Sequence, residues 1–130
     1  MVWVDLVGLA ALLQLLVFGF LVGRARGTFG IKAPATTGHP VFEAYYRVQA
    51  NTVELLVAFL PALWLAAKYW SPRYAALLGL VYLVGRVLYV MGYVRDPKRR
   101  ELGFVLSFVP IVVLIIGALI GAIRTLNAGG

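Results

Sequence analysis

Arg47, Gln49, Asn51 and Glu54 fall within the ten-residue stretch YYRVQANTVE, and the chain then runs straight into LLVAFLPALWLAA. An arginine, two carboxamides and a carboxylate in one short segment suit a small zwitterionic ligand. Guanidinium groups fork onto carboxylates. Glutamate takes an ammonium, and the amides of glutamine and asparagine read peptide groups. On a helix, positions 47, 51 and 54 lie at i, i+4 and i+7 and share one face. Glu43 extends that face outward by one turn, and Gln49 points elsewhere, toward a different helix or subunit.

A second stripe follows the same logic: Tyr82, Arg86, Tyr89 and Tyr93 repeat at i, i+4, i+7 and i+11. Ionisable residues deep in an apolar helix are costly, so they face a bundle interior or a wet cavity and find a partner. The plain explanation is inter-helix glue, with Arg86 or Arg47 paired to Glu54 and the tyrosines forming an interfacial belt. One pair needs two residues, however. Here two arginines, two amides, a glutamate and three tyrosines converge near one end of the helices, beside the basic run Arg95 to Arg100. That many polar groups argue for a ligand.

Other chemistries are excluded or left without residues. The chain has no Cys, so any thiol must arrive with a substrate. There is no H-E-x-x-H, no P-loop and no G-x-G-x-x-G. His39, the single histidine, stands beside Pro40 and is expected as a solvated turn residue. Without Cys and with one His, no metal site is expected.

The elements that must hold these residues are membrane helices. The chain is 62% hydrophobic with 13% charged residues, and its mean hydropathy is +0.92. Soluble domains are about half apolar and about a quarter charged. Twelve basic residues face five acidic ones, but in a membrane protein such an excess marks cytoplasmic loops and does not imply nucleic acid. The expected fold class is all-α, a four-helix bundle in one transmembrane domain over residues 1–130. The spans expected are Val2 to Gly23, Val41 to Tyr69 with a kink at Pro61, Tyr74 to Tyr93, and Leu102 to Ile123. The stretch RARGTFGIKAPATTGHP is expected as irregular, KYWSPRY as a turn and RTLNAGG as a frayed tail. Gly19-x-x-x-Gly23 and Gly117-x-x-x-Gly121 allow close helix approach, although glycine is common in membrane helices anyway.

Orientation follows from lysine and arginine. The first and third loops carry Arg24, Arg26, Lys32, Arg95, Lys98, Arg99 and Arg100, against Lys68, Arg73 and Arg124 on the other side. The positive-inside bias puts the first and third loops, and the polar start of the second helix, at the cytoplasmic face.

TTGHPVFEAYYRVQANTVE and GLVYLVGRVLYVMGY resemble the membrane-associated proteins in eicosanoid and glutathione metabolism, on the microsomal glutathione transferase and leukotriene synthase branch. The R-x-Q-x-N-x-x-E pattern and the Tyr-x-x-x-Tyr of the third helix carry the resemblance, which runs from about Arg26 to Arg100. It implies a homotrimer of four-helix subunits with glutathione, as co-substrate, bound between neighbours near the cytoplasmic face. Arg47, Gln49, Asn51 and Glu54 match glutathione-binding positions, Tyr89 and Tyr93 match the tyrosines of the third helix, and Arg26 matches a binding arginine at the end of the first. Arg100 matches the catalytic arginine that holds the thiolate, with Arg99 the alternative one residue away. Leu55 stands where the family often has Tyr, and Gly27 where some leukotriene synthases have a second arginine.

The function this implies is a membrane-bound glutathione transferase, with a peroxidase outcome open to it. Glutathione is activated as a thiolate that attacks a hydrophobic electrophile arriving from the bilayer. The expected location is a multi-pass protein of a bacterial inner membrane, with the active site cytoplasmic. Two rivals are a non-catalytic lipid-binding protein of the same fold and a small cation-coupled transporter using Glu54. The clustering of polar residues at one face, rather than at the midplane, counts against the transporter.

Overall fold

The computed structural model of the chain describes residues 1–96 and 100–129. Four helices account for nearly all of them: α1 Val2–Phe29, α2 Pro40–Tyr69, α3 Pro72–Arg95 and α4 Arg100–Asn127. All four are long and apolar enough to cross a membrane, which fits an integral membrane protein. At 1.5 Å per residue, α2 alone is about 45 Å long, more than the hydrocarbon thickness of about 30 Å.

The helices overrun the expected spans, and their caps explain why. α1 continues through Arg24–Phe29, a stretch expected to be irregular. Gly27 is tolerated inside it, and the helix stops where Gly30 takes a left-handed conformation at φ 67°, donating to the Arg26 carbonyl. That backbone state suits glycine. His39 is not a solvated turn residue. It is the N-cap of α2, where its Nδ1 accepts from the Val41 backbone N–H at 3.2 Å, and its half-buried ring stacks on Phe29 at 3.8 Å. Pro40 then occupies the first turn, where no N–H is missed. Only Trp70 and Ser71 separate α2 from α3, and the Ser71 hydroxyl caps α3 by accepting from Tyr74 N–H. α2 stays helical through Pro61, and α4 runs through Pro110 and on to Asn127, well past the expected end. Lys98 and Arg99 lie outside the described residues.

α2 and α3 are the centre of the bundle. Each packs on the other three helices, whereas α1 and α4 do not meet among the described residues. The main core lies toward the short α2–α3 turn. There Phe59 stacks on Tyr82 at 3.9 Å, with Val7, Leu63 and Leu114 around them. A smaller cluster of Phe18, Val48 and Tyr89 lies toward the opposite end. Leu13, Leu16 and Phe20 of α1 point outward, Phe20 with 72% of its surface open. This face suits lipid.

Glycines set how closely the helices approach. A Cβ on Gly85 would stand 2.7 Å from the Leu106 backbone, and one on Gly103 would run into the backbone of Tyr89. α3 and α4 are therefore in backbone contact, as small residues permit in membranes. Gly117 and Gly121 do allow a close approach, against the Trp70 ring and the Tyr69 carbonyl. Gly19 faces the Gln49 side chain, and nothing lies close to Gly23. At the turn end, the Trp64 indole donates to Asp5 at 2.7 Å, with its ring packed over Gly8.

Candidate functional site

Backbone contact between α3 and α4 brings Arg86 within reach of Ser107. The Arg86 side chain is fully buried, at 0% exposure. Its Nε donates to Ser107 Oγ at 2.9 Å, and its Nη1 donates to Asn51 Oδ1 at 2.8 Å and to Thr52 Oγ1 at 3.0 Å. One guanidinium thus ties α2, α3 and α4 together. The two hydroxyls are prepared for this. Thr52 donates its own proton to the Val48 carbonyl at 2.7 Å, and Ser107 donates to the Gly103 carbonyl at 2.6 Å. Their lone pairs are left to accept from arginine, which has only donors. The Tyr89 ring lies 4.4 Å from the guanidinium carbon, a cation–π contact that strengthens when desolvated. Nη2 has no hydrogen-bond partner among the described residues. Every partner is neutral. Arg86 does join helices, as the plain explanation has it, but through neutral groups and not through Glu54.

The outward side of α2 is different. Arg47 and Glu54 are exposed, and neither makes a hydrogen bond or ion pair among the described residues. Arg47 and Glu43 line a shallow cleft of 310 Å³ with Tyr93 and Val94 of α3. Tyr93 meets Tyr89 edge-on at 5.5 Å, and the Arg100 guanidinium lies 5.2 Å over the Tyr93 ring. Arg100 is itself exposed, in the first turn of α4. Tyr89 lies within electrostatic reach of Glu54 as well as of Arg86 and Arg100. Arg47, Asn51, Glu54, Tyr89, Tyr93 and Arg100 therefore lie at one end of the bundle, along the α2–α3 face and the start of α4.

Arg26 and Gln49 lie apart from that set. Arg26 donates from Nη1 to the Ala35 carbonyl at 2.7 Å, and its guanidinium covers the Phe42 ring at 4.8 Å. Gln49 turns toward α1 beside Gly19. Positions 47 and 49 are separated by about 200° around a helix, so one subunit cannot aim both at a single ligand.

Two residues with a structural part in the site were not singled out from sequence, Thr52 and Ser107. Ser107 is a lone hydroxyl in an apolar run, which was the available signal, whereas Thr52 sits inside the polar stretch itself. Gln14 is a lone amide in the apolar run of α1, and its Nε2 donates to the Leu83 carbonyl at 3.1 Å while its Oε1 is buried without a partner among the described residues. No group of His, Cys, Asp and Glu that could hold a metal ion occurs among the described residues.

The chain is similar over most of its length to known proteins. An uncharacterised protein of Synechocystis is 44% identical over 127 residues, covering 98% of this chain and 93% of that protein. Microsomal glutathione S-transferase 2 of Homo sapiens is 40% identical over 111 residues, covering 85% of this chain and 74% of that protein. Leukotriene C4 synthase of Bos taurus is 43% identical over 83 residues, covering 64% of this chain and 55% of that protein. The sequence model of the MAPEG family matches residues 4–120, and the chain belongs to that family.

Proposed function

We propose that the chain is a membrane-bound glutathione transferase, active as a homotrimer with its site at the cytoplasmic face. The observation that carries this reading is the pair of exposed charges on α2. Arg47 and Glu54 stand without ion-pair partners among the described residues, on either side of Asn51, with Arg47 lining a cleft with Tyr93 and Glu54 within electrostatic reach of Tyr89. A guanidinium, an amide and a carboxylate spaced along about 10 Å of helix suit a charged tripeptide. Their placement beside apolar helix faces suits a reaction between a water-soluble thiol and a lipid-soluble electrophile. Relatives named as a glutathione S-transferase and a leukotriene C4 synthase, at 40% and 43% identity, support the class of chemistry.

The trimer rests on the separation of Arg26 and Gln49 from Arg47, Asn51 and Glu54 on opposite sides of α2. Two half-sites back to back on one helix become whole sites when a second copy supplies the missing half. The cytoplasmic placement rests on the count of basic residues at that end.

In this reading Arg47, Asn51, Glu54, Tyr89 and Tyr93 of one subunit hold glutathione, with Arg26 and Gln49 from the neighbour. Arg100 acts on the thiol. A free thiol ionises near pH 8.5, and an adjacent fixed cation favours the thiolate. The proton leaves to water. The thiolate forms a sulfur–carbon bond with the electrophile as the bond to its leaving group breaks, and the leaving group departs with the electron pair. A peroxidase outcome shares the activated thiolate. Titrating the detergent-purified protein with glutathione tests the reading. Thiolate absorbance should grow with saturation near neutral pH, and its absence at saturating glutathione would end the transferase assignment.

A further inference from the structure

We infer that Arg86 is a positioning residue that fixes the polarity of Asn51, so that Asn51 meets the ligand as a hydrogen-bond donor only. The inference rests on the glutathione reading for the ligand's identity, but not for the contact itself. Arg86 is fully buried and Asn51 is half-buried at the edge of the site. The 2.8 Å bond runs from Arg86 Nη1 to one terminal atom of the Asn51 amide. That atom must be the oxygen, because arginine offers donors alone and an amide nitrogen there would set donor against donor. The ordinary ambiguity between the two ends of an asparagine is thereby removed by chemistry.

Arg86 in turn has little freedom. Its Nε is held by Ser107 on α4, and Nη1 is also shared with Thr52. The amide is planar, so its Nδ2 projects away from Arg86. Nδ2 makes no hydrogen bond among the described residues, and it is not one of the buried polar atoms left without a partner. It is therefore not sealed in the core, on a half-buried residue one turn from Arg47 along α2. Along the outward edge of α2 the order is then a cationic donor at Arg47, a neutral donor at Asn51 and an anionic acceptor at Glu54. A carboxylate or carbonyl is recognised at the first two, and an ammonium is excluded from Asn51 and left to Glu54.

Asn51→Asp separates this from a purely structural role. The carboxylate still accepts from Arg86, now with charge assistance, but it has no donor to turn outward. The melting temperature in detergent should hold or rise, while glutathione affinity falls by about tenfold to a hundredfold. Arg86→Lys is the second variant. It keeps the charge but cannot hold Ser107, Thr52 and Asn51 together. It should raise KM for glutathione with a smaller change in kcat per folded site, since the thiol-activating cation is elsewhere. A drop in melting temperature for Asn51→Asp would overturn the Arg86 contact, and this readout needs no ligand. Unchanged glutathione affinity in that variant, with the wild type binding normally, would overturn the donor assignment alone. A fall in kcat with KM unmoved in Arg86→Lys would reduce Arg86 to a structural residue. A wild-type protein that binds no glutathione would instead end the glutathione reading, and the melting data would still decide the contact.

Discussion

Arg86 and Arg47 are the same residue type in adjacent helices near the same end of the bundle, yet their surroundings are opposite. Arg86 is enclosed by three neutral oxygen acceptors and an aromatic face. Arg47 is exposed, with only a shallow cleft beside it. A buried charge must be compensated within the protein, because desolvation costs several kcal/mol even after relaxation. An exposed charge needs no internal partner and remains available to a ligand. On the proposed glutathione reading, the contrast separates residues that build the site from residues that use it. Asn51 belongs to both groups, with its oxygen committed inward and its nitrogen free.

That division makes the two arginines separable by experiment. Arg86→Leu leaves the acceptors at Asn51, Thr52 and Ser107 facing an apolar side chain. Loss of these bonds should lower stability by about 3 kcal/mol or more, seen as a clear drop in thermal unfolding in detergent. Arg47→Ala should leave unfolding within about 0.5 kcal/mol of wild type. An equal loss of stability in both would dissolve the distinction.

The reverse holds for binding. Arg47→Ala and Glu54→Ala should each weaken glutathione binding by about 2 kcal/mol, the low end for a charged partner lost at an interface. Isothermal calorimetry reads this directly. Unchanged affinity in both variants would return these residues to an interfacial role. A smaller effect belongs to the turn end of the bundle. Gly121→Ala would drive a methyl group into the Tyr69 carbonyl, costing about 1 kcal/mol or more of stability. Glutathione affinity should not change, since the site lies at the other end. Smallest is Gly19→Ala, whose methyl group would stand 3.1 Å from the end of the Gln49 side chain. That flexible amide can shift, so stability should stay within about 0.5 kcal/mol. Affinity should fall by about twofold if Gln49 serves a neighbour's site.

The four helices were legible because apolar runs long enough to cross a membrane have few other fates. Their ends were less legible. α1 reaches Phe29 because Gly30 takes the left-handed state, and α2 starts at Pro40 because His39 accepts from Val41 N–H. Both depend on cap conformations that composition alone does not reveal. Periodicity correctly placed Arg47, Asn51 and Glu54 along one side of α2, and it placed Gln49 elsewhere. It could not show that Asn51 lies at the inner edge of that side, because helical angle carries no information on what the neighbouring helix supplies. The Arg86–Ser107 contact was similarly hidden. It depends on the approach of α3 and α4 at Gly85 and Gly103, a property of two helices read together.

The central claim is that this site turns bound glutathione into a thiolate with the help of Arg100, and one comparison tests it most directly. Thiolate absorbance should be recorded across pH at saturating glutathione for the wild type and for Arg100→Gln. Arg100 lies against Tyr93 at the mouth of the site, so its removal should spare binding while raising the pH at which the bound thiol ionises. The expected result is a thiolate signal near neutral pH in the wild type that appears only at higher pH in the variant, with conjugation of a model aryl halide recovering in parallel. Superimposable titration curves for the two proteins, both saturated with glutathione, would contradict it.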